Sequence, residues 1–229
     1  MHHPELTEIY RKHFSECSKT ITQVISNVTE PAADPLLISP PTKYLDSDFK
    51  IMYFGQEANG WAGPFHDSKG VDHLLDVYDK FANNVGGPAY GGPFWNAIKR
   101  LNQSFSKLHV LPAFTYNNII KIGKHRAKGL PSEPLLRWQK TWFQVIREEV
   151  RILTPDLIVF FTGPRYDKFL QEAFGPLEFF QVGARGIRQL SRVRALGLPA
   201  NTFRTYHPNY LWRHDFYSYE KDIIDASRA

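Results

Sequence analysis

The sequence contains a single cysteine, Cys17, among its 229 residues. One cysteine excludes an internal disulfide, a cysteine-rich zinc site and a cysteine-ligated iron–sulfur cluster within one chain. No apolar run approaches the roughly 20 residues that span a bilayer, and the first residues lack the basic-then-apolar plan of a signal peptide. We therefore expect a soluble protein of the reducing cytoplasm, with no membrane contact.

The composition is that of an ordinary globular protein, with 42% hydrophobic and 14% aromatic residues. The length fits one well-buried domain, which we expect to cover residues 1–229. The formal charge is +5 and the sequence pI is near 9.2. A basic surface favours a polyanionic partner such as a nucleic acid, because it releases counterions from phosphates.

Apolar periodicity predicts an α/β protein. An N-terminal helix over Leu6–Val28 and a proline-rich connector fill about residues 1–48, because four prolines in "EPAADPLLISPPTKYL" oppose both helix and strand. Four apolar runs then have strand length, and segments with helical spacing separate them. The strands are expected at Lys50–Gly55, His109–Ile120, Pro155–Gly163 and Asn201–His207. This alternation predicts a three-layer α/β/α sandwich around a central, mainly parallel four-stranded sheet.

The polar residues of interest fall where the predicted strands end. Gln56 and Glu57 close the first strand, Asn117 and Asn118 lie in the second, and His207 closes the fourth. In an open parallel sheet the ligand crevice lies beyond the carboxyl ends of the strands. A carboxylate, carboxamides and an imidazole are therefore expected to meet at one edge, as an acid–base and hydrogen-bonding site.

The order and spacing of these motifs resemble the uracil-DNA glycosylase superfamily. The first motif of that superfamily, Gly-Gln-Asp-Pro or a relative, has its counterpart in "GQEANG", and the last, His-Pro-Ser-x-Leu-x-x-Arg, in "HPNYLWR". Between them, "GGPFW" is similar to the segment that stacks on an extruded base, and "TYNNII" to the strand with a base-reading asparagine. Four such motifs in order, each at a strand end or the helix start after it, make the chain a divergent member by resemblance.

The resemblance implies a DNA glycosylase that hydrolyses the N-glycosidic bond of uracil or another damaged base during DNA repair. Glu57 would face the sugar, and His207 would donate a hydrogen bond to the departing base. The implied base-binding residues are Gln56, Phe94, Asn118 and Asn117. Leu211 would wedge into the space of the flipped nucleotide, and the implied phosphate contacts are Arg213, Lys121 and Lys124. We expect DNA as the partner, a monomer, and no cofactor or metal.

Three departures from the family pattern bear on this expectation. Ala58 replaces the usual proline, and Asn59 stands where some branches keep a tyrosine that excludes the thymine methyl group. The branch with a related first motif carries a cysteine-ligated cluster, which one cysteine cannot build. A long segment, residues 61–92, separates the first motif from Phe94 and is expected to reshape or cover the pocket.

Two other interpretations remain open at this point. His66 and Asp67 with Asp72 and His73 suggest metal ligands of a phosphohydrolase, although a polar loop before a helix explains the same residues. Alternatively, the chain is a catalytically inactive protein of glycosylase fold that binds nucleic acid or a nucleotide, since glutamate stands in place of aspartate and the proline is missing.

Overall fold

A computed structural model describes residues 2–25, 31–58, 60–65, 70–84, 89 and 91–228. The long N-terminal helix α1 is followed by an extended segment and a short helix, α2. Strands and helices then alternate up to the C-terminal helix α9. The helices are α1 (Pro4–Ile25), α2 (Thr42–Leu45), α3 (Gly70–Tyr78), α4 (Pro93–Phe105), α5 (Glu133–Trp142), α6 (Ile146–Leu153), α7 (Asp167–Phe174), α8 (Pro208–Leu211) and α9 (Phe216–Ser227). A π-helical turn, Asp79–Asn84, continues α3, and a 3₁₀ turn, Pro164–Tyr166, precedes α7.

The described strands form one six-stranded mixed sheet, in the order β2-β1-β3-β6-β5-β4. They are β1 (Phe49–Glu57), β2 (Pro112–Ile120), β3 (Leu157–Phe160), β4 (Glu178–Gln181), β5 (Leu190–Arg194) and β6 (Asn201–Thr205). Strands β2, β1, β3 and β6 are parallel, and β5 and β4 add an antiparallel hairpin to the β6 side. The prediction of four strands was therefore wrong in number, although the four predicted strands form the parallel part.

The hairpin escaped prediction because its sequence mixes apolar and charged residues, as a half-exposed antiparallel pair does. The turn of the hairpin lies at the same edge of the sheet as the cavity-forming strand ends. Leu190 pairs with Thr205 at the end of β6, so residues 182–189 lie at the carboxyl edge of the parallel strands.

The centre of the sheet is covered on both faces. All four residues of β3 are buried, and so are the consecutive β1 residues Ile51 to Phe54, whose side chains point alternately to the two faces. The helices that cover it pack in two groups, with α1 against α3, α5 and α6, and with α4 against α8 and α9. The coarse α/β prediction is confirmed.

The proline-rich segment after α1 is part of the core. Leu36, Leu37 and Ile38 are fully buried. Backbone hydrogen bonds of 2.9 Å join Ala33 to Gly123 and Leu36 to Lys121, so the segment lies beside the chain that leaves β2. The prediction of extended backbone fits, but the segment packs against the domain instead of linking two parts of it.

One of the segments with helical spacing, Leu135–Leu153, spans parts of two helices, α5 and α6, in the structure. Phe143 leaves helical conformation, with φ −132° and ψ 51°, and its ring is buried. No helix in the described part of the chain has both the length and the apolar character needed to cross a membrane.

Candidate active site

A cavity of about 260 Å³ lies at the carboxyl edge of the parallel strands. Its wall brings together five of the side chains that the sequence singled out, from the ends of β1, β2 and β6 and from the start of α4. Its lining residues are Gly55, Gln56, Glu57, Ala58, Trp61, Phe81, Phe94, Trp95, Tyr116, Asn118 and His207. Parallel strands produce this convergence because their carboxyl ends all meet at one edge of the sheet.

Two hydrogen bonds fix the polar end of β1. The Gln56 carboxamide donates through Nε2 to the backbone carbonyl of Thr162 at 2.8 Å. The hydroxyl of Tyr166 donates to Oε2 of Glu57. Burial raises the pKa of Tyr166, and the hydrogen bond to Glu57 raises it further. Tyr166 therefore stays a protonated donor and holds one carboxylate oxygen of Glu57, while no donor among the described residues contacts the other oxygen.

His207 is held as a neutral hydrogen-bond donor. It follows β6 and caps α8, where its Nδ1 accepts the backbone N–H of Asn209 at 3.1 Å. Burial lowers the pKa of His207 below its ordinary value. A neutral imidazole that accepts at Nδ1 carries its proton on Nε2, so Nε2–H is the donor left for a ligand.

Gly55 makes room for two of the lining side chains. It lies opposite Asn118 in the β1–β2 register. A Cβ at this position would lie 2.3 Å from Oδ1 of Asn118 and 3.4 Å from the Phe94 ring, so the cavity depends on the missing side chain. The Phe94 ring is nearly parallel to the His207 ring, with centroids 6.0 Å apart and planes at 17°.

Asn118 presents its carboxamide to the cavity, and Asn117 does not. Successive residues of a strand point to opposite faces, so Asn118 shares the face of Tyr116. The Asn118 carboxamide has no hydrogen-bond partner within the described chain. Of the two asparagines that the sequence singled out, Asn118 therefore lines the cavity and Asn117 does not.

Aromatic side chains that sequence reasoning missed form the remaining wall. The Trp61 ring meets Phe81 edge-on at 5.2 Å, and the Trp95 ring meets Tyr116 at 4.8 Å. Trp61 and Phe81 belong to the long segment 61–92, so described residues of that segment line the pocket. Tyr116 precedes Asn118 by two residues in β2, and this two-residue period was a signal that could have predicted it.

Three predicted ligand contacts lie in the core and are corrected by the structure. Asn117, Lys121 and Leu211 are fully buried. The Lys121 ammonium donates at 2.7 Å to both Glu149 and Asn117, and the Asn117 carboxamide donates at 2.7 Å to Glu149. Lys121 is thus held inside by a carboxylate and cannot reach a phosphate, and Leu211 packs inside instead of projecting as a wedge.

This buried cluster also supports the cavity. The Tyr10 hydroxyl donates to Glu149 at 2.5 Å, which ties α1 to α6. Oδ1 of Asn117 accepts the Asn118 backbone N–H at 2.8 Å in addition to the Lys121 ammonium. Burial lowers the pKa of Lys121, and the charge of Glu149 opposes that shift.

Basic side chains follow the carboxyl ends of the parallel strands, at the edge of the sheet where the cavity lies. They lie after β2, after β3, on the β4–β5 turn and after β6. Exposed examples are Arg126, Lys128, Arg165, Arg188 and Arg213. Lys124, predicted with them, is half-buried. The strand ends thus place positive charge around a pocket that contains one carboxylate, Glu57.

The metal interpretation gains no support from the described residues. They include no cluster of three or more histidine, cysteine, aspartate or glutamate side chains placed to hold an ion. Asp72 pairs with Arg11 on α1 at 2.9 Å. His66 and Asp67 lie outside the described residues, as does Asn59.

Comparison of the chain with protein-family models, curated proteins and solved structures finds no match.

Proposed function

We propose that this chain is a DNA glycosylase-like hydrolase that cleaves the N-glycosidic bond of uracil or another damaged base. The observation that carries the proposal is the meeting of a carboxylate, a neutral imidazole, a free carboxamide and an aromatic face in one small cavity. At about 260 Å³ the cavity is smaller than the 300–1,000 Å³ typical of drug-sized ligands. That size suits a single flipped base.

Glu57 is the residue assigned to the sugar. Cleavage of an N-glycosidic bond gives the sugar oxocarbenium character, which a nearby carboxylate stabilises. Tyr166 holds one Glu57 oxygen, so the other is left to face the cation and to orient the attacking water. Glu57 then takes the role that the resembling superfamily gives to its first-motif carboxylate.

His207 is assigned to the leaving base. As the bond breaks, negative charge collects on a carbonyl oxygen of the base, and a preorganised donor there lowers the barrier. The neutral tautomer offers Nε2–H for this purpose. Removing a donor of this kind typically slows the reaction by about 10²–10³-fold.

Phe94 and Asn118 recognise the base before cleavage. A flipped base is read by hydrogen bonds along its edge and by stacking on its faces. Asn118 supplies both donor and acceptor, and stacking on an aromatic ring such as Phe94 contributes about 1–3 kcal/mol per base. DNA phosphates fit the basic side chains around the cavity edge.

The test is an incision assay on labelled oligonucleotides that contain uracil, hypoxanthine or another deaminated base. Alkali cleaves the abasic site that a glycosylase leaves, so product appears as a shorter strand on a denaturing gel. We expect turnover by the wild type and a loss of at least about 100-fold in Glu57→Gln and in His207→Gln. Glu172→Gln, which changes a surface carboxylate paired with Lys140, is the matched control and should keep wild-type activity.

A second candidate is a pocket that binds a base or nucleotide without cutting it. The Tyr166 hydrogen bond favours it, because it removes part of the charge that Glu57 offers to a cation. Tight oligonucleotide binding with no incision of any modified base would select this function. Incision by the wild type that Glu57→Gln abolishes would select the hydrolase.

A further inference from the structure

Three aromatic side chains next to His207 form a row of ring contacts, which we call the column. Tyr206 precedes His207 in the chain, and its ring centroid is 4.5 Å from that of Tyr210, with the two planes tilted by 45°. The Tyr210 ring in turn stacks on His214, at 4.1 Å and 28°. Tyr210 is 39% exposed and His214 is also exposed, so the column reaches the surface.

Leu211 is not available as a wedge that could separate the bases of a duplex. Flipping a base out of a duplex costs the free energy of unstacking, and enzymes that do so often insert an apolar side chain between the base steps. Leu211, the last residue of α8, occupies that position in the motif, yet its side chain is fully buried. The aromatic side chain that this helix exposes is Tyr210, which lies beside exposed Asn209.

Two exposed arginines lie on the chain segments next to the column. Arg213 is between Tyr210 and His214 in the chain, and Arg188 is on the β4–β5 turn, and both are exposed. The buried Arg204 of β6 donates to the backbone carbonyl of Arg188 at 2.9 Å, which holds that turn beside the strand leading to Tyr206. Aromatic rings accompanied by basic side chains are the combination that binds single-stranded nucleic acid.

We propose that the column of Tyr206, Tyr210 and His214 binds the unpaired bases next to the target nucleotide, so that the substrate is single-stranded DNA. This inference rests on the proposed function and specifies its substrate. A base packs on the exposed part of the Tyr210–His214 pair. The flanking phosphates contact Arg213 and Arg188, and the target base enters the cavity lined by His207. A single strand supplies an unstacked base, so no wedge is required.

The experiment measures binding apart from cleavage. Fluorescence anisotropy of one labelled 20-nucleotide sequence without damaged bases compares the single strand, the duplex and the RNA of the same sequence. We expect the wild type to bind the single DNA strand at least tenfold more tightly than the duplex. Tyr210→Ala should weaken single-strand binding about 5- to 150-fold, the range for one base stacked on an aromatic ring.

Two variants separate stacking from other effects. Tyr210→Phe keeps the ring and should bind like the wild type. Tyr217→Ala removes a more exposed tyrosine, whose ring contacts Arg100 of α4 and no ring of the column, and it should change binding less than twofold. Circular dichroism melting confirms that each variant is folded.

Ile187 provides the opposing test. It is exposed on the β4–β5 turn at the same edge, and it is the aliphatic side chain there that a duplex-binding mode would insert. The proposal is overturned if the wild type binds single strand and duplex with equal affinity, or if Tyr210→Ala binds like the wild type. It is also overturned if the wild type prefers duplex and Ile187→Ala selectively loses that duplex binding. RNA bound as tightly as DNA would broaden it to single-stranded nucleic acid in general.

Failure of the two proposals gives different results. If the chain binds the single strand through Tyr210 but incises no modified base, the hydrolase is refuted and the column is supported. If it incises uracil equally fast in duplex and single strand and Tyr210→Ala has no effect, the hydrolase is supported and the column is refuted.

Discussion

Lys121→Met is predicted to destabilise the protein strongly and to leave its phosphate contacts unchanged. Lys121 is fully buried, and its ammonium lies 2.7 Å from a carboxylate oxygen of Glu149, which is equally buried. Removing one partner of such a pair leaves an uncompensated charge inside the protein, at a cost of about 3–5 kcal/mol. For a chain of this length, that loss corresponds to a decrease in melting temperature of about 6–20 °C.

The double variant Lys121→Met with Glu149→Gln tests the reason for this loss. It contains no unpaired buried charge, and the glutamine carbonyl still accepts the Tyr10 hydroxyl. We therefore expect it to recover part of the lost stability. Lys140→Met is the matched control, because Lys140 pairs with Glu172 at the surface and such pairs contribute about 0–1 kcal/mol.

The assay is urea unfolding followed by the fluorescence of the five tryptophans, with the free energy of unfolding extrapolated to water. A parallel titration of DNA binding against salt asks whether Lys121 meets phosphate, since each contact contributes about 0.9 to the logarithmic salt slope for duplex DNA and about 0.7 for a single strand. If Lys121→Met unfolds like the wild type and its DNA binding has a shallower salt slope, the buried-pair reasoning is refuted and Lys121 contacts a DNA phosphate.

Three further predictions concern the cavity. Tyr166→Phe removes a hydrogen bond to Glu57 and should lower both the incision rate and the stability. The loss of stability should be about 1.5–3 kcal/mol in urea unfolding. An unchanged incision rate would show that Glu57 does not depend on this hydrogen bond. Gly55→Ala should weaken oligonucleotide binding more than it lowers the melting temperature, because the new methyl group would meet Asn118 at 2.3 Å. His207 titrates below its ordinary value of about 6.5, so the unfolded chain takes up the proton first and stability should fall as the pH decreases below 6.5. His207→Gln should flatten that part of the curve, and an equal decline in both proteins would assign it to other groups.

The centre of the parallel sheet could be predicted because β3 and the middle of β1 are continuous apolar runs without polar alternation. "LIVF" of β3 is apolar throughout and is buried on both faces, and the Gly-Gln-Glu end of β1 lies at the cavity as the rule for open parallel sheets requires. The β4–β5 hairpin gave no such signal. Its strands have one exposed face, so charged residues such as Arg192 and Arg194 interrupt each apolar run.

The errors at Lys121 and Leu211 share a physical cause. Sequence gives the type of a side chain, but its direction depends on contacts between residues that are far apart in the chain. The carboxylate that holds Lys121 inside is 28 residues away on α6, and no local pattern marks the pair. A lysine in a basic stretch is usually solvated, so the burial of this one could be seen only when the helices were in place.

The sequence identifies Glu57 as a candidate site residue, and the structure shows what orients its carboxylate. The superfamily that the sequence resembles has an aspartate at this position in its Gly-Gln-Asp-Pro motif. A glutamate has one more rotatable bond, which would ordinarily leave its carboxylate less well oriented. In the structure the hydroxyl of Tyr166, from the turn after β3, holds that carboxylate at its far end. Because burial keeps Tyr166 protonated, the restraint persists at neutral pH. The longer side chain is thus positioned by a partner from a different strand end, and the glutamate and the tyrosine are best regarded as one unit of the site.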